Sequence, residues 1–451
     1  MKHHSSLCRV ISAVVLAGGA LFCHGENTSE WWRTFNDSHL DTLIAMGEAN
    51  NYDVSMAMRR IEMAKAAVRQ TESAWYPQLG LQAGWSKTRQ SGRLTGREGS
   101  ATGTSYFSGD VTMSWEIDVF GKVRAQVNHD KKQVQLSSAE FDGAMLTVQA
   151  SIASAYFTLL MHRAQLAVAN EHAANQKHLL DITETRYRTK LVSKLDVAQA
   201  STLYYGTESS IPMLESSVEA DYNAIALLLG LERAQLPAWL YDETPLPATK
   251  QDIPEIPADL IRRRPDVVAA EKSIEVAAAA LGIARSEYLP SLSLQASAGT
   301  AAHNIGDVFD RPAFTYSVAP TLSWTIFDGF GRRAATASAQ ENMKLEVDNY
   351  NMTVLGAAQE VNNALTSYNS TLRYIDMLQK AVDSSRESVT LSIDQYKQGL
   401  TDFYNVVEAH LNYLTYQNNL VSARGQALTS LIDLYKSLGG GFKHTRTYEK
   451  H

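Results

Sequence analysis

Cysteine is nearly missing from this chain of 451 residues: Cys8 and Cys23 are the only two. Both fall near an apolar stretch, Val10 to Phe22, that follows Lys2 and Arg9, which is the layout of a secretory signal over residues 1–25. Cleavage after a small residue such as Gly25 leaves no thiol, and that excludes a disulfide framework. Cys23 is a candidate for lipid attachment, although Phe22 stands where a lipidation signal takes a small residue. Beyond the signal no apolar run is long enough for a spanning helix, so any crossing of a bilayer has to use strands. A net charge of −7 and a pI near 6.0 give no electrostatic footprint for nucleic acid. The histidines lack metal-ligand spacing, and there is neither a Gly-x-Ser-x-Gly elbow nor a phosphate-cradling glycine loop after a strand. No catalytic residue, metal or cofactor is expected.

Proline is scarce too, 11 in all, and two long stretches have none: Lys122 to about Thr189, and Arg332 to about Gln398. Each reads as one helix, and about 65 residues at a rise of about 1.5 Å reach roughly 100 Å. Val361, Leu365, Tyr368, Leu372, Ile375 and Leu378 recur at spacings of four and three, the seam of coiled-coil packing. Gly399 stands at a helix C-cap and Asp402 can cap the helix that begins near Phe403. Ser193-Lys194-Leu195-Asp196 has the spacing of a capping box, with Asp for Glu or Gln.

What the chain does contain is itself twice. Tyr76-Pro77-Gln78-Leu79-Gly80-Leu81-Gln82-Ala83 returns as Leu289-Pro290-Ser291-Leu292-Ser293-Leu294-Gln295-Ala296, and Ser114-Trp115-Glu116-Ile117 as Ser323-Trp324-Thr325-Ile326. So long a period means two copies of an architectural unit. The expected division is a signal over 1–25, a first repeat over 26–230, an equatorial linker over 231–256, a second repeat over 257–442 and a tail over 443–451. Each repeat holds a helix, a β-hairpin (about 77–120 and 290–328) and a long helical hairpin, with tips near 190–196 and 397–404.

All four strand segments alternate with period two. Leu79, Leu81, Ala83 and Trp85 oppose Gln78, Gln82 and Ser86; Phe107, Val111, Met113, Trp115 and Ile117 oppose Ser108, Asp110, Thr112, Ser114 and Glu116. In the second copy Leu292, Leu294, Ala296 and Ala298 oppose the serines and Gln295, while Tyr316, Val318, Leu322, Trp324 and Ile326 oppose Thr315, Ser317, Thr321, Ser323 and Thr325. A sandwich strand alternates in the same way, but a sandwich needs many short strands at regular spacing, not two hairpins separated by helices. About eight residues span roughly 26 Å along a strand, close to the apolar band of a membrane barrel.

Unpaired strand edges in lipid cost several kcal/mol per backbone group, so such strands close into a barrel. The smallest common membrane barrels have about eight strands, and one chain supplies four. Two, three or four copies would give roughly 8, 12 or 16 strands, and a ring is the natural outcome. The polar strand faces then line a water-filled lumen that the helices continue. A periplasmic helical scaffold or adhesin is the competing class; it has no use for a polar face repeated four times.

Four segments carry a family resemblance: Arg262-Arg263-Arg264-Pro265-Asp266-Val267, Leu289-Pro290-Ser291-Leu292, Asp328-Gly329-Phe330-Gly331, and Leu434-Tyr435-Lys436-Ser437-Leu438-Gly439-Gly440-Gly441-Phe442. With them the chain resembles the TolC-like outer-membrane efflux proteins. The resemblance implies an α+β membrane protein of a Gram-negative outer membrane: a homotrimer with a 12-stranded β-barrel continued by a long periplasmic α-helical barrel. It implies an exit duct for drugs or metals, partnered by a periplasmic adaptor and an inner-membrane RND-type pump; the protein-secretion (type I) branch of the family is the alternative. On the family pattern Tyr404 narrows the periplasmic aperture, Glu408 forms an acidic ring and Asn405 stands beside them, with Leu195 and Asp196 as their partners on the first tip. An acidic residue in an early helical turn also complements the helix dipole, which is the plainer account of Glu408. Asn405 and Thr401 stand where some relatives have Asp and Arg, so the resemblance does not carry the family's full charge lock over to this chain. The arginine run has its own plain account, a solvated helix start or a structural ion-pair cluster.

Overall fold

The computed structural model describes residues 30–89, 103–247 and 258–441. The signal over 1–25, Cys23, most of the loop after Arg89, residues 248–256 of the linker and the tail over 443–451 lie outside them. Among the described residues eight α-helices and four strands run in the order α1 (Ser38–Asn50), α2 (Tyr52–Glu72), β1 (Gln78–Arg89), β2 (Gly103–Ile117), α3 (Lys122–Arg188), α4 (Lys194–Glu208), α5 (Ile211–Leu228), α6 (Pro265–Ser286), β3 (Ser291–Ala302), β4 (Phe314–Ser323), α7 (Gly331–Lys397) and α8 (Phe403–Ser437).

Both long helices are 67 residues, as the proline-free stretches predict. The expectation that no internal run is apolar enough to span a bilayer fails for α3, which contains an 18-residue window of mean hydropathy 1.4. That apolarity is used in packing: Ile152, Ala153, Tyr156, Phe157, Leu159 and Leu160 are buried at 0–1 % exposure. They meet Leu43 and Ile44 of α1, Ile225 of α5 and Leu431 and Ile432 of α8 in one core that draws on both copies. Trp31 stacks on Tyr435 at 5.6 Å. Asp37 does two jobs there: its carboxylate caps α1 by accepting from the amides of His39 and Leu40, and it accepts a 2.9 Å bond from the Tyr156 hydroxyl. Burial first, then Asp37, pushes the Tyr156 hydroxyl well above its ordinary range.

The four strands form one antiparallel sheet in chain order, with β1 and β4 as its edges. Directly opposed residues share a face, so the register tests the alternation. Leu81 lies opposite Val111, and Val111 opposite Ala298, which lies opposite Tyr316. On the other face Gln82 meets Asp110, then Gly299, then Thr315. All four apolar sets thus fall on one side and the polar sets on the other. Gly299 is demanded by its neighbour, because a Cβ there would lie 2.3 Å from the Gly109 carbonyl and 2.2 Å from the Asp110 carboxylate. Pro320 sits in edge strand β4 opposite Leu294, an allowed place for a residue with no amide to donate.

One strand is shorter than its alternation predicts. β4 stops at Ser323, so Trp324 and Ile326 lie beyond it, whereas Trp115 and Ile117 end β2 from within. The two tryptophans keep one role despite this. Trp115 Nε1 donates to the Trp75 carbonyl and Trp324 Nε1 to the Tyr288 carbonyl, both at 3.1 Å, each tying a returning strand to the exit of the preceding helix. The hairpin-to-helix junctions are duplicated as well. Asp118 accepts from the amides of Val123 and Arg124 and pairs with the Arg124 guanidinium; Asp328 accepts from the amide and guanidinium of Arg332.

The arginine run holds an ion-pair cluster, centred on Arg264. Arg262 and Arg263 are exposed, but Arg264 is 6 % exposed and contacts Asp266 and Glu360 at 2.7 Å and the Ser437 carbonyl at 2.7 Å. Burial works against the Asp266 charge, yet the Arg264 guanidinium holds its carboxyl below the usual range. Gly439, with φ +76, packs against the Arg264 backbone, where a Cβ would come within 3.1 Å of Cα. Two segments that carried the resemblance, far apart in sequence, are one joint.

Candidate functional site

The helical tips are where the chain's expected function residues gather, so their construction comes first. α7 ends in a Schellman turn: the amide of Gly399 donates to the Tyr396 carbonyl and that of Leu400 to the Gln395 carbonyl, with Gly399 at φ +74. α3 ends identically. The amide of Lys190 donates to the Tyr187 carbonyl and that of Leu191 to the Arg186 carbonyl, but the left-handed residue there is Lys190, at φ +62. The return helices then differ. Ser193 caps α4 by accepting from the Asp196 amide at 3.2 Å. Asp402 occupies the N-cap of α8 without a side-chain cap bond, contrary to its expected role. The backbone carbonyl of Asp402 takes the Asn405 amide at 3.2 Å instead, a tight first turn that leaves its carboxylate unused.

The tips are fastened together by an apolar plug and a polar tie. Leu180 and Ala200 of the first arm pack with Phe403 and Val406 of the second, at exposures of 0–2 %. The Tyr396 hydroxyl donates to the Asp196 carboxylate at 2.9 Å across 200 residues of sequence. Burial and then Asp196 push the Tyr396 hydroxyl up to about 12. Arg186 lies over the Tyr396 ring, 5.3 Å from its centroid.

Tyr404 and Glu408 are four residues apart on α8, on one face, and both are exposed, Tyr404 at 60 %. Asn405 is exposed and turned aside; its side-chain amide donates to the Thr401 hydroxyl. Leu195 is 64 % exposed at the first tip. Asp196 is half-buried and committed to Tyr396 and to the Ser193 hydroxyl at 2.6 Å. The structure therefore brings Tyr404 and Glu408 together, sets Leu195 free, and gives Asp196 a joining role. Sequence reasoning missed Tyr396 as the partner of Asp196, and Arg186 over its ring. The signal was available only as an odd aromatic at a helix end, since its partner is remote in sequence. Among the described residues no group of three or more His, Cys, Asp or Glu is placed to hold a metal ion.

With this geometry in place, the relatives of the chain are informative. The sequence profile of the family described as outer membrane efflux protein matches residues 43–231 and 256–440. Nodulation protein T of Rhizobium leguminosarum bv. trifolii is 27 % identical over 417 residues, covering 91 % of this chain and 88 % of that one. The probable efflux pump outer membrane protein TtgC of Pseudomonas putida is 27 % identical, with 91 % and 85 % covered. The solved outer-membrane channel OprN superposes with a TM-score of 0.83 at 26 % identity, covering 91 % of this chain and 92 % of its own. A profile matched in two blocks across nearly all the described residues, on a fold of barrel strands and long helical hairpins, leads to one conclusion: the chain belongs to the outer membrane efflux protein family and is an outer-membrane efflux channel of a Gram-negative envelope, with a large helical part in the periplasm.

Proposed function

We propose that three copies close the four-stranded sheets into a 12-stranded barrel and the helical hairpins into a periplasmic tube. The observation that carries this reading is the sheet itself, with one apolar face, one polar face and two unpaired edges, β1 and β4. In lipid each edge needs a partner, and the only partner of matching shape is the opposite edge of another copy. The two blocks of the profile match support the division into repeats over 26–230 and 257–442 with a linker over 231–256. A periplasmic adaptor and an inner-membrane RND-type pump complete the assembly, and the cargo is small molecules, drugs or metals. TtgC carries the name of an efflux pump component, which favours this branch over protein secretion.

In the tube, Tyr404 and Glu408 of each copy narrow the periplasmic mouth, and three Glu408 carboxylates give it a cation-attracting field. The two residues fit that role because they share an exposed face while their neighbours Phe403 and Val406 fix α8 from behind. Purified protein in planar bilayers tests both levels. The expected result is a discrete conductance from a species of three chains, raised by the double change Tyr404→Ala and Glu408→Ala. A wild-type conductance in that variant removes these residues as the constriction, and no conductance at all from intact protein favours a scaffold.

A further inference from the structure

Above the tip, α3, α7 and α8 enclose a cavity of about 380 Å³ that the conduit reading does not use. Its walls are apolar: Leu179, Ile182, Val389, Ile393 and Val406. Its polar lining is cationic or neutral: Arg186, Lys397, His172, His178 and His410 line it with Tyr396 and Tyr413, and no carboxylate does. Such a volume, mostly apolar with a few convergent polar groups, is the usual form of a small-molecule site.

Three of the polar groups have spare capacity. His410 is 6 % exposed, and its Nε2 has no hydrogen-bond partner among the described residues, a cost that a bound ligand or water would remove. Burial, then the nearby His172, lowers the His410 pKa to about 4, so the ring is neutral at pH 7. Its neighbour His172 is already engaged, with Nε2 2.6 Å from Gln417 Oε1. Arg186 lies half-buried over the Tyr396 ring and has no ion pair among the described residues. Lys397 has only a long, exposed contact of 3.8 Å with Asp394. The one carboxylate behind Tyr396, Asp196, is held by the tyrosine hydroxyl.

We infer that this cavity binds a small amphiphilic organic acid, its carboxylate at Arg186 and Lys397 and its aromatic body between Ile182, Val389 and Ile393, with His410 at the inner end. The guanidinium offers a planar fork for a carboxylate, and it rests over the Tyr396 ring at 5.3 Å from the centroid. A ligand so placed touches three helices at once and ties the first arm to the second just above the tip. The site stands independently of the conduit reading, because all its walls belong to one chain.

The test is a fluorine NMR titration of 4-(trifluoromethyl)benzoate against the purified full-length protein in detergent, with 4-(trifluoromethyl)benzamide as the uncharged control for partition into micelles. The expected result is saturable binding of the acid, one molecule per chain, with the amide bound at least tenfold more weakly. Arg186→Gln is expected to weaken the acid by about tenfold or more, the loss of a charge-assisted pair. Val389→Trp, which fills the cavity, is expected to abolish binding. Lys397→Gln alters an exposed residue, keeps the fold and is expected to weaken the acid by several-fold. Non-saturable uptake, equal binding of the amide, or unchanged affinity in folded Arg186→Gln, Val389→Trp and Lys397→Gln variants overturns the assignment.

Discussion

The two helical arms began as copies and no longer do the same work. Lys194–Leu228 and Phe403–Ser437 span equal lengths of chain after matching turns, yet the first is split into α4 and α5 with Pro212 in the opening turn of α5, while the second runs as one helix of 35 residues. The split lets α5 turn its buried Val218, Tyr222 and Ile225 into the core shared by both copies. The unbroken α8 serves the core at one end through Leu428, Leu431 and Ile432, and the tip at the other through Phe403 and Val406. Duplication preserved the backbone path; side chains then reassigned the roles. Tyr404, Asn405 and Glu408 correspond to Leu195, Asp196 and Gln199, so the exposed aromatic and acid belong to one arm and the tie to the other.

Four measurements can break or sharpen that division. The largest effect is expected at Phe403, 2 % exposed, whose first-arm counterpart is the exposed Lys194. Phe403→Ala should cost about 3–5 kcal/mol of local stability, read as lost amide protection at both tips, while Lys194→Ala should stay within about 0.5 kcal/mol. Next comes acid. His410 has Ser201 as its counterpart in the first arm, and its folded pKa of about 4 lies below the ordinary 6.5. Its contribution is therefore complete above about pH 6.5 and is lost as pH falls toward 4. Amide protection factors, taken relative to the intrinsic exchange rate at each pH, should fall on α8 around His410 in that window, and His410→Gln should blunt the change.

A smaller effect is expected at the tie. Tyr396→Phe should cost about 1 kcal/mol, whereas Tyr187→Phe, at the matching exposed position, should change nothing measurable. The raised folded pKa of Tyr396 means its contribution holds below about pH 10 and fades as pH climbs through about 12; tyrosinate absorbance in wild type and Tyr396→Phe checks the late-titrating ring. The smallest effect belongs to the turns. Gly399→Ala should destabilise by about 1 kcal/mol, and Lys190→Gly should stabilise by up to about 1 kcal/mol, because only the second arm already has the residue its left-handed turn favours. Equal thermal shifts from the two changes would show the turns to be equivalent after all.

Local pattern made much of this fold legible. The alternation at Leu79–Trp85 and Leu292–Ala298 marked the strands, proline-free runs marked α3 and α7, and Gly399 and Ser193 marked a stop and a start. Each is a signal written within a few residues of where it acts. The rest is written across the chain. Asp402 has the right type and position for a cap, and loses the bond because the first turn of α8 tightens onto its carbonyl. Pro212 splits one return helix, a break that the symmetric reading of the arms passed over. Arg264 meets Ser437, Tyr396 meets Asp196, and His410 meets His172 only after the arms pack, so no spacing rule could pair them. At the proposed aperture the resemblance supplied residue types, and the structure added which of them are exposed together and which are tied down.

Pro320 has a bearing on the life of the chain before it reaches a membrane. An open four-stranded sheet with an apolar face is an invitation to stick to its own kind, and two β4 edges from different copies would be the simplest wrong match. A residue with no amide hydrogen in the middle of that edge spoils the ladder such a match would need. The same chemistry leaves one rung missing wherever β4 finds its proper neighbour. An open β4 edge is by the same token a poorer template for a like edge than an unbroken one.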